Sequence, residues 1–302
     1  MPHRLPAGAP SAIVVPVKIG AHVSAAGGPV TCFDRAEAIG AEAAQIFLTP
    51  PQQWRSSKVD EAQAMAFRER AAQSSCSPVF VHGVYLINLA TNDEPNLSRS
   101  TSSLKSALTS CSQLGIRGVI FHIGSHKGQG LDAVFDQICR ACRDVLDATP
   151  ADALLILENS AGAGGTIGSR FPDLGRIIRE VGSERVKVCL DTQHAYAAGY
   201  DVATAEGLEL AMTELEREVG FDQLVAVHAN DSKIELGGGR DRHENIGDGH
   251  IGLEGFRRIL AHRAFKDVPF LLEVPGMDGK SGPDAANVEI LKRLRDEVGA
   301  SS

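Results

Sequence analysis

The sequence predicts a single-domain α/β protein, a closed (β/α)8 barrel, and three observations carry the prediction. Short apolar runs recur eight times, they are continuous rather than alternating, and a helical pattern separates each from the next. Continuous apolar runs are what strands covered on both faces look like in a parallel sheet. Eight such strands alternating with eight helices have one obvious solution, a barrel closed on itself. The length of 302 residues suits one large barrel. The rival, a doubly wound open sheet, is disfavoured because no G-x-G-x-x-G follows the first run.

Taken in order, residues 1–16 (MPHRLPAGAPSAIVVP) have no charged stretch followed by an unbroken apolar one, so a flexible leader is expected rather than a secretion signal, with the barrel over 17–302. The first strand is VKIGAH (17–22) and the first helix spans about 29–39, closed by Gly40. AAQIF (43–47) leads to a helix over 59–73 with Asp60 as N-cap. PVFVH (78–82) leads to a helix over 98–114, begun by Ser98 and closed by Gly115. GVIFH (118–122) precedes a helix over 131–147 with Asp132 at its start. ALLILE (153–158) precedes a helix over 171–181. VKVCLD (186–191) runs into a loop, and a helix over 204–219 follows, closed by Gly220. LVAVH (224–228) is followed by a Gly-rich insertion over 229–253, a length at which loops are usually functional, and then by a helix over 254–263. PFLLE (269–273) and a helix over 283–298 complete the eighth unit.

Composition narrows the function classes. Aromatic residues are only 5% of the chain, so the core rests on Val, Ile, Leu and Ala. The net charge of −8 speaks against a broad basic surface that grips nucleic acid by counterion release, although bound metal ions are not counted in such a charge. Cys139 and Cys142 form a C-x-x-C inside a helical run, with no second pair at zinc-finger spacing. The six cysteines read as core thiols in a reducing, cytoplasmic setting. No stretch approaches the ~18 apolar residues of a membrane helix.

The strand ends carry the chemistry. They are His22, Phe47, His82, His122, Glu158, Asp191, His228 and Glu273, and seven of these eight are His, Asp or Glu. All fall at the C-terminal rim, where barrel active sites are built. A single one reads as a capped strand end or a satisfied core histidine, but seven in register do not. Buried carboxylates brought together repel one another and lose hydration unless cations accompany them. Imidazole with carboxylate and no thiolate suits Zn2+, with Mn2+ or Fe2+ as alternatives at one or more positions. The loops add His194, three residues after Asp191, and Asp241 with His243, which lie on one side of an extended segment. Leaving His22 aside, five His and four carboxylates are nine candidate ligands, enough for three ions. Three divalent ions against four carboxylates leave a net positive rim that can hold a phosphate.

These stretches resemble the endonuclease IV family of apurinic/apyrimidinic endonucleases, which carry a trinuclear zinc site on a TIM barrel. The pieces are KIGAHVSAAGG (18–28), YLINL (85–89), FHIGSH (121–126), LENSAG (157–162), DTQHAYAAGYD (191–201), HANDSK (228–233) and DRHENIGDGHIG (241–252), and the likeness runs from about Lys18 to about Leu294. The resemblance implies His82 and His122 on one zinc, with Glu158 bridging to a second that Asp191, His228 and Glu273 complete, and His194, Asp241 and His243 on the third. It implies a DNA-repair enzyme that flips out an abasic nucleotide and hydrolyses the phosphodiester 5′ to it, leaving a 3′-hydroxyl. Glu158 would position the attacking hydroxide and take its proton. Duplex DNA with abasic sites or 3′-blocked ends is the implied partner, and a monomer the implied state. Tyr85 and Leu86 would enter the minor groove at the lesion.

The chain departs from the family pattern at FLTPPQQWRS (47–56), where Gln52 stands at a position that often carries Arg. Gln52 can offer hydrogen bonds to the lesion but no charge, and Arg55 is the other cation nearby. Gln193 stands where Cys is common, between ligand positions. His22 is expected beside the ligands or facing a phosphate, and His126 and His250 have no assigned task. His3 and His262 are expected to be idle surface residues. Two rivals remain: a metal-dependent sugar isomerase or epimerase, which has no use for the His194, Asp241 and His243 cluster, and a non-catalytic lesion binder, for which an intact ligand set would be a needless cost.

Overall fold

The computed structural model describes residues 17–55, 58–279 and 282–301, so the 1–16 leader and His3 lie outside the described residues. Eight parallel strands close a barrel: β1 (Ile19–His22), β2 (Ala44–Ile46), β3 (Val79–His82), β4 (Gly118–His122), β5 (Leu154–Glu158), β6 (Val186–Asp191), β7 (Leu224–His228) and β10 (Phe270–Leu272). Each pairs with its neighbours in chain order, and β10 returns to β1 through Ile19 opposite Phe270. Around them run α1 (Thr31–Ala38), α2 (Glu61–Gln73), α3 (Glu94–Leu114), α4 (Leu131–Asp147), α5 (Phe171–Val181), α6 (Thr192–Ala198), α7 (Ala205–Glu218), α8 (Gly252–Ala261) and α9 (Ala285–Ser301). Among the described residues no helix is long and apolar enough to cross a membrane.

The core has two layers. The larger lies between strands and helices and includes Phe33, Leu104, Ile138, Leu174 and Phe256. The smaller is enclosed by the strands and holds Ala43, Phe80, Ile120, Ile156, Cys189, Ala226 and Leu271. Side chains alternate along a strand, so the residue two positions further on faces the same way. Two steps beyond this inner plug stand Gln45, His82, His122, Glu158, Asp191, His228 and Glu273. The plug is therefore the floor on which the polar cluster sits. At Gly20 a Cβ would lie 2.4 Å from the Ala43 carbonyl oxygen, so only glycine lets β1 close against β2.

Boundaries differ from expectation in places that have physical causes. Asp60 caps α2 as expected, accepting from Gln63 N while the Gln63 side chain accepts from Asp60 N. Ser98 does not begin α3: Asp93 accepts from Asn96 N and Pro95 occupies the first turn, a start that its polar residues hide from an apolar pattern. Asp132 is no cap either; Gly130 precedes α4, and Asp132 lies in the first turn, where negative charge suits the helix dipole. The loop expected after Asp191 is instead the short helix α6, which the Asp191 carboxylate caps through His194 N and Gly199 ends in the left-handed conformation. Seven residues are too few to show a helical period. The 229–253 insertion contains an antiparallel ribbon, β8 (Asp231–Ser232) with β9 (His243–Glu244). All six cysteines are buried, and burial pushes the Cys139 thiol up to about 11 and the Cys142 thiol to about 12, so the C-x-x-C is packing rather than a reactive pair.

Candidate metal centre

At the C-terminal mouth the strand ends form three groups whose potential ligand atoms lie within 4.8 Å of one another: His82, His122 and Glu158; Glu158, Asp191, His228 and Glu273; and Asp191, His194 and His243. Glu158 is completely buried and faces two ways. Its Oε2 lies 3.2 Å from His82 Nε2 and 3.6 Å from His122 Nδ1. Its Oε1 lies 2.9 Å from His228 Nδ1 and 3.3 Å from His194 Nδ1. Glu273 Oε2 is 3.4 Å from His228 Nδ1.

The third group differs by one member from the expected set. Asp191 joins His194 and His243, with its Oδ2 3.6 Å from His243 Nε2. Asp241 stands on the open side, one oxygen 3.3 Å from His194 Nε2 and the other 3.3 Å from His243 Nε2. Asp241 and His243 come to the same side, as the one-residue spacing implied.

Four of the five imidazoles are oriented by their other nitrogen. Nδ1 of His82 donates to Gly83 O (2.7 Å), Nδ1 of His194 to Asn159 O (3.0 Å), and Nδ1 of His243 to Glu273 O (3.2 Å). His228 is reversed: its Nε2 donates to Gln45 Oε1 at 2.8 Å, which leaves Nδ1 for the carboxylates. Such outer bonds fix the tautomer and aim the free lone pair. His243 Nε2 is buried and has no hydrogen-bond partner although two carboxylates lie within 3.6 Å. An orphaned buried nitrogen facing carboxylates, in an all-nitrogen-and-oxygen donor set, fits a divalent cation such as Zn2+.

Electrostatics agree with a shared-charge site. Burial pushes the Glu158 carboxyl up, but the neighbouring His122 and His228 and hydrogen bonds from His194 and His228 hold it well below the usual carboxylate range. Burial pulls His194 down, yet Asp191, Asp241 and Glu158 raise it well above an ordinary histidine. Burial opposes ionisation of Asp241 as well; His194 outweighs it, with His243 and His122, and holds the group at about 2. In the metal-free state protons on imidazole thus balance the carboxylates, and these are the protons a bound cation would displace.

Several residues at the site were not singled out in the sequence. Gln45 is fully buried on β2 and bonds His228, His22 and Glu273, the last through Nε2 donating to Oε1 at 2.5 Å. Strand β2 therefore contributes Gln45 to the cluster, and Phe47 packs above it against His22 and His82. Counting two steps from Ala43 in the inner plug was the signal. Asn159 pins the Asp191 peptide from both sides, and Asn230 donates to Asp191 Oδ2 at 2.7 Å while accepting from Glu273 N. Asp231 accepts from the peptide N–H groups of Ser232, Gly247, Gly249, Ile251 and Gly252 and so folds the end of the insertion.

The remaining expected residues fall as follows. His22 stands beside the cluster, Nδ1 3.1 Å from Glu273 Oε1. Tyr85 is 58% exposed on the rim, edge-on to Phe47 and His82. It separates a cavity of about 590 Å³ on the His22 side from one of about 460 Å³ that reaches His122, His194 and Asp241. Leu86 is half-buried against the core, and Gln52 is exposed in the loop after β2. His126 is an organiser of its loop: Nδ1 accepts from Gly128 N and Gly130 N, both at 3.1 Å. His250 is exposed and its peptide N–H reaches Ser232 O. His262 is not idle: its Nδ1 caps a short helical turn through Ala264 N, and its Nε2 faces Glu209 at 3.4 Å.

Comparison with known proteins places the chain. The family model described as a xylose isomerase-like TIM barrel matches residues 33–297. A protein named probable endonuclease 4 from Aquifex aeolicus is 39% identical over 276 residues, covering 91% of this chain and 96% of that protein. Its namesake from Haloarcula marismortui is 37% identical, covering 93% of this chain and 100% of that one. The crystal structure of endonuclease IV from Thermus thermophilus superposes with a TM-score of 0.82 at 33% identity, covering 93% of this chain and 99% of that chain. A D-tagatose 3-epimerase-like protein at 18% identity and a TM-score of 0.71 shares the fold alone. Barrel, rim cluster and sequence identity agree, and the chain belongs to the endonuclease IV family of enzymes.

Proposed function

We propose that this enzyme hydrolyses the phosphodiester 5′ to abasic sites in duplex DNA, leaving a 3′-hydroxyl, at a centre of three zinc ions, and that it also clears 3′-blocked ends, acting as a monomer. The observation that carries the reading is the three-part cluster in which buried Glu158 shares its two oxygens between groups. In this assignment His82, His122 and Glu158 hold one ion. Glu158, Asp191, His228 and Glu273 hold the second, and His194, Asp241 and His243, with Asp191 alongside, hold the third. When bound, such ions supply Lewis acidity that makes water acidic near neutral pH, and positive charge against the phosphate and its departing oxygen.

The chain's own groups do the rest. Glu158, kept as a carboxylate, orients the attacking water. Tyr85, with Leu86 behind it, stands above the rim between the two cavities, where a ring can enter the minor groove and hold the stack open. Exposed cations at or beside the rim loops, Arg55, Arg99, Lys127, Arg170 and Arg240, have no carboxylate in ion-pair range among the described residues. Several flank cations are paired, as Arg70 is to Asp34 and Glu37 and Arg143 to Glu180. The five rim-loop cations are free to meet a phosphate backbone. A sugar isomerase would leave the third group without a task.

The test is one purified sample assayed for zinc per chain and for nicking of a duplex with a single abasic analogue. About three ions with cleavage on the 5′ side is the expected result. One or two ions, no cleavage, and ketose–aldose conversion would overturn the reading.

A further inference from the structure

Gln193 is fully buried as the second residue of α6, between Asp191 and His194, and has no place in the ligand set. Its amide is spent on the insertion. Nε2 donates to Arg240 O at 3.0 Å and lies 3.4 Å from Ser232 Oγ, and Oε1 accepts from Arg242 N at 3.3 Å. The Arg240 carbonyl belongs to the peptide before the Asp241 Cα, and the Arg242 N–H to the peptide after it. One side chain therefore grips both peptide planes that set the direction of the Asp241 carboxylate. An amide suits the task because it offers a donor and an acceptor together.

The Arg242 guanidinium also donates to the Asp241 carbonyl oxygen at 2.7 Å, but from an exposed position. The Asp241 side chain is 57% exposed, Arg240 and Arg242 beside it are exposed, and Gly237, Gly238 and Gly239 lie just upstream. Further anchoring comes from α6, whose Tyr196 and Ala197 carbonyls accept from Gly237 N and Gly239 N, and from the ribbon, where Lys233 N donates to Arg242 O at 3.0 Å. A buried amide costs free energy unless bonded, and this one bonds both peptides around the exposed Asp241 as well as the buried Ser232 hydroxyl.

We infer that Gln193 is the positioning residue for Asp241, fixing its carboxylate between His194 and His243 so that the third metal subsite is formed before any ion arrives. The inference rests on the proposed reading of Asp241 as a ligand. Gln193→Met keeps bulk and helical preference and removes both bonds; Gln193→Ala serves if the Met variant does not fold. The full-length variants, Asp241→Ala and the Gln193→Met/Asp241→Ala double variant are equilibrated in graded zinc buffers and analysed for zinc per chain. Thermal melting in chelator controls for folding.

The expected result is a cooperative melt in chelator close to that of the parent, with the most weakly held ion bound roughly 10–100-fold less tightly. The double variant should lose no more than Asp241→Ala alone, because both changes empty the same subsite. Parental zinc retention in the Gln193 variant beside a loss in Asp241→Ala would overturn the positioning role and leave the ligand reading standing. Additive losses in the double variant would also overturn it, by showing that Gln193 acts elsewhere. Full retention in Asp241→Ala would remove Asp241 from the ligand set and take the inference with it.

Discussion

Glu158 is the residue on which the proposed chemistry turns, because it is buried and faces two groups at once. Glu158→Gln keeps the shape and removes the charge. Nicking of abasic duplex should fall by at least a hundredfold while lesion binding stays within a few-fold, as read by a cleavage assay beside a binding titration; near-parental nicking would sink the assignment. Gln52 is exposed in the loop after β2, so Gln52→Arg adds a cation without disturbing packing. Lesion affinity should rise most at low salt, and the slope of log affinity against log salt should steepen by roughly 0.9, the value for one added phosphate contact. An unchanged slope would mean that position 52 does not reach the DNA. The strand-end ligand candidates were legible in the sequence because each closes an apolar run. Gln45 and Gln193 were not: an amide carries no charge to draw attention, and its value appears only when the partner backbone is in place.

Elements ended where caps decide, not where apolar patterns do. Asp284 begins α9 by accepting from Asn287 N, and it also accepts from Met277 N and Asp278 N, so it ties the loop after β10 to the last helix. Burial pushes its carboxyl up, but these hydrogen bonds, with the Asn287 side chain, hold it below the usual range. A depressed folded value contributes stability above the unfolded value of about 3.9, and that contribution is lost as the pH falls through the folded one. Asp284→Ala should therefore cost about 1 kcal/mol or more at neutral pH, and the gap from the parent should shrink below about pH 4. Chemical denaturation of the chelated proteins at several pH values measures it, and a gap that widens with acid would contradict the sign. Asp93 was overlooked as a cap for the reason that hid α6: short polar starts have no period to read.

On the scale of the whole molecule, the barrel gathers charges that would otherwise repel. Without metal, His194 and His228 sit well above the ordinary histidine value because Asp191, Asp241 and Glu158 around the first, and Cys189 with Glu273 and Glu158 around the second, outweigh burial. A raised folded value contributes stability that is complete below about pH 6.5 and lost as the pH climbs through it. Chelated protein should therefore melt at lower temperature as the pH rises from 6 to 9. Zinc-loaded protein should behave in the opposite sense, losing its advantage as acid protonates the ligands. Parallel melting curves for the two forms would show that no cation replaces these protons. The sequence by itself determined the architecture, the rim and the ligand candidates, because a continuous apolar run and the residue that ends it are local properties. Only the tertiary structure decided which oxygen faces which imidazole, that Asp191 joins the third group, and that Gln45, Asn159, Asn230 and Gln193 orient the rest. Those pairings link residues about 30 to 180 positions apart, and they exist only because closing the barrel brings separate strand ends and one insertion onto the same floor.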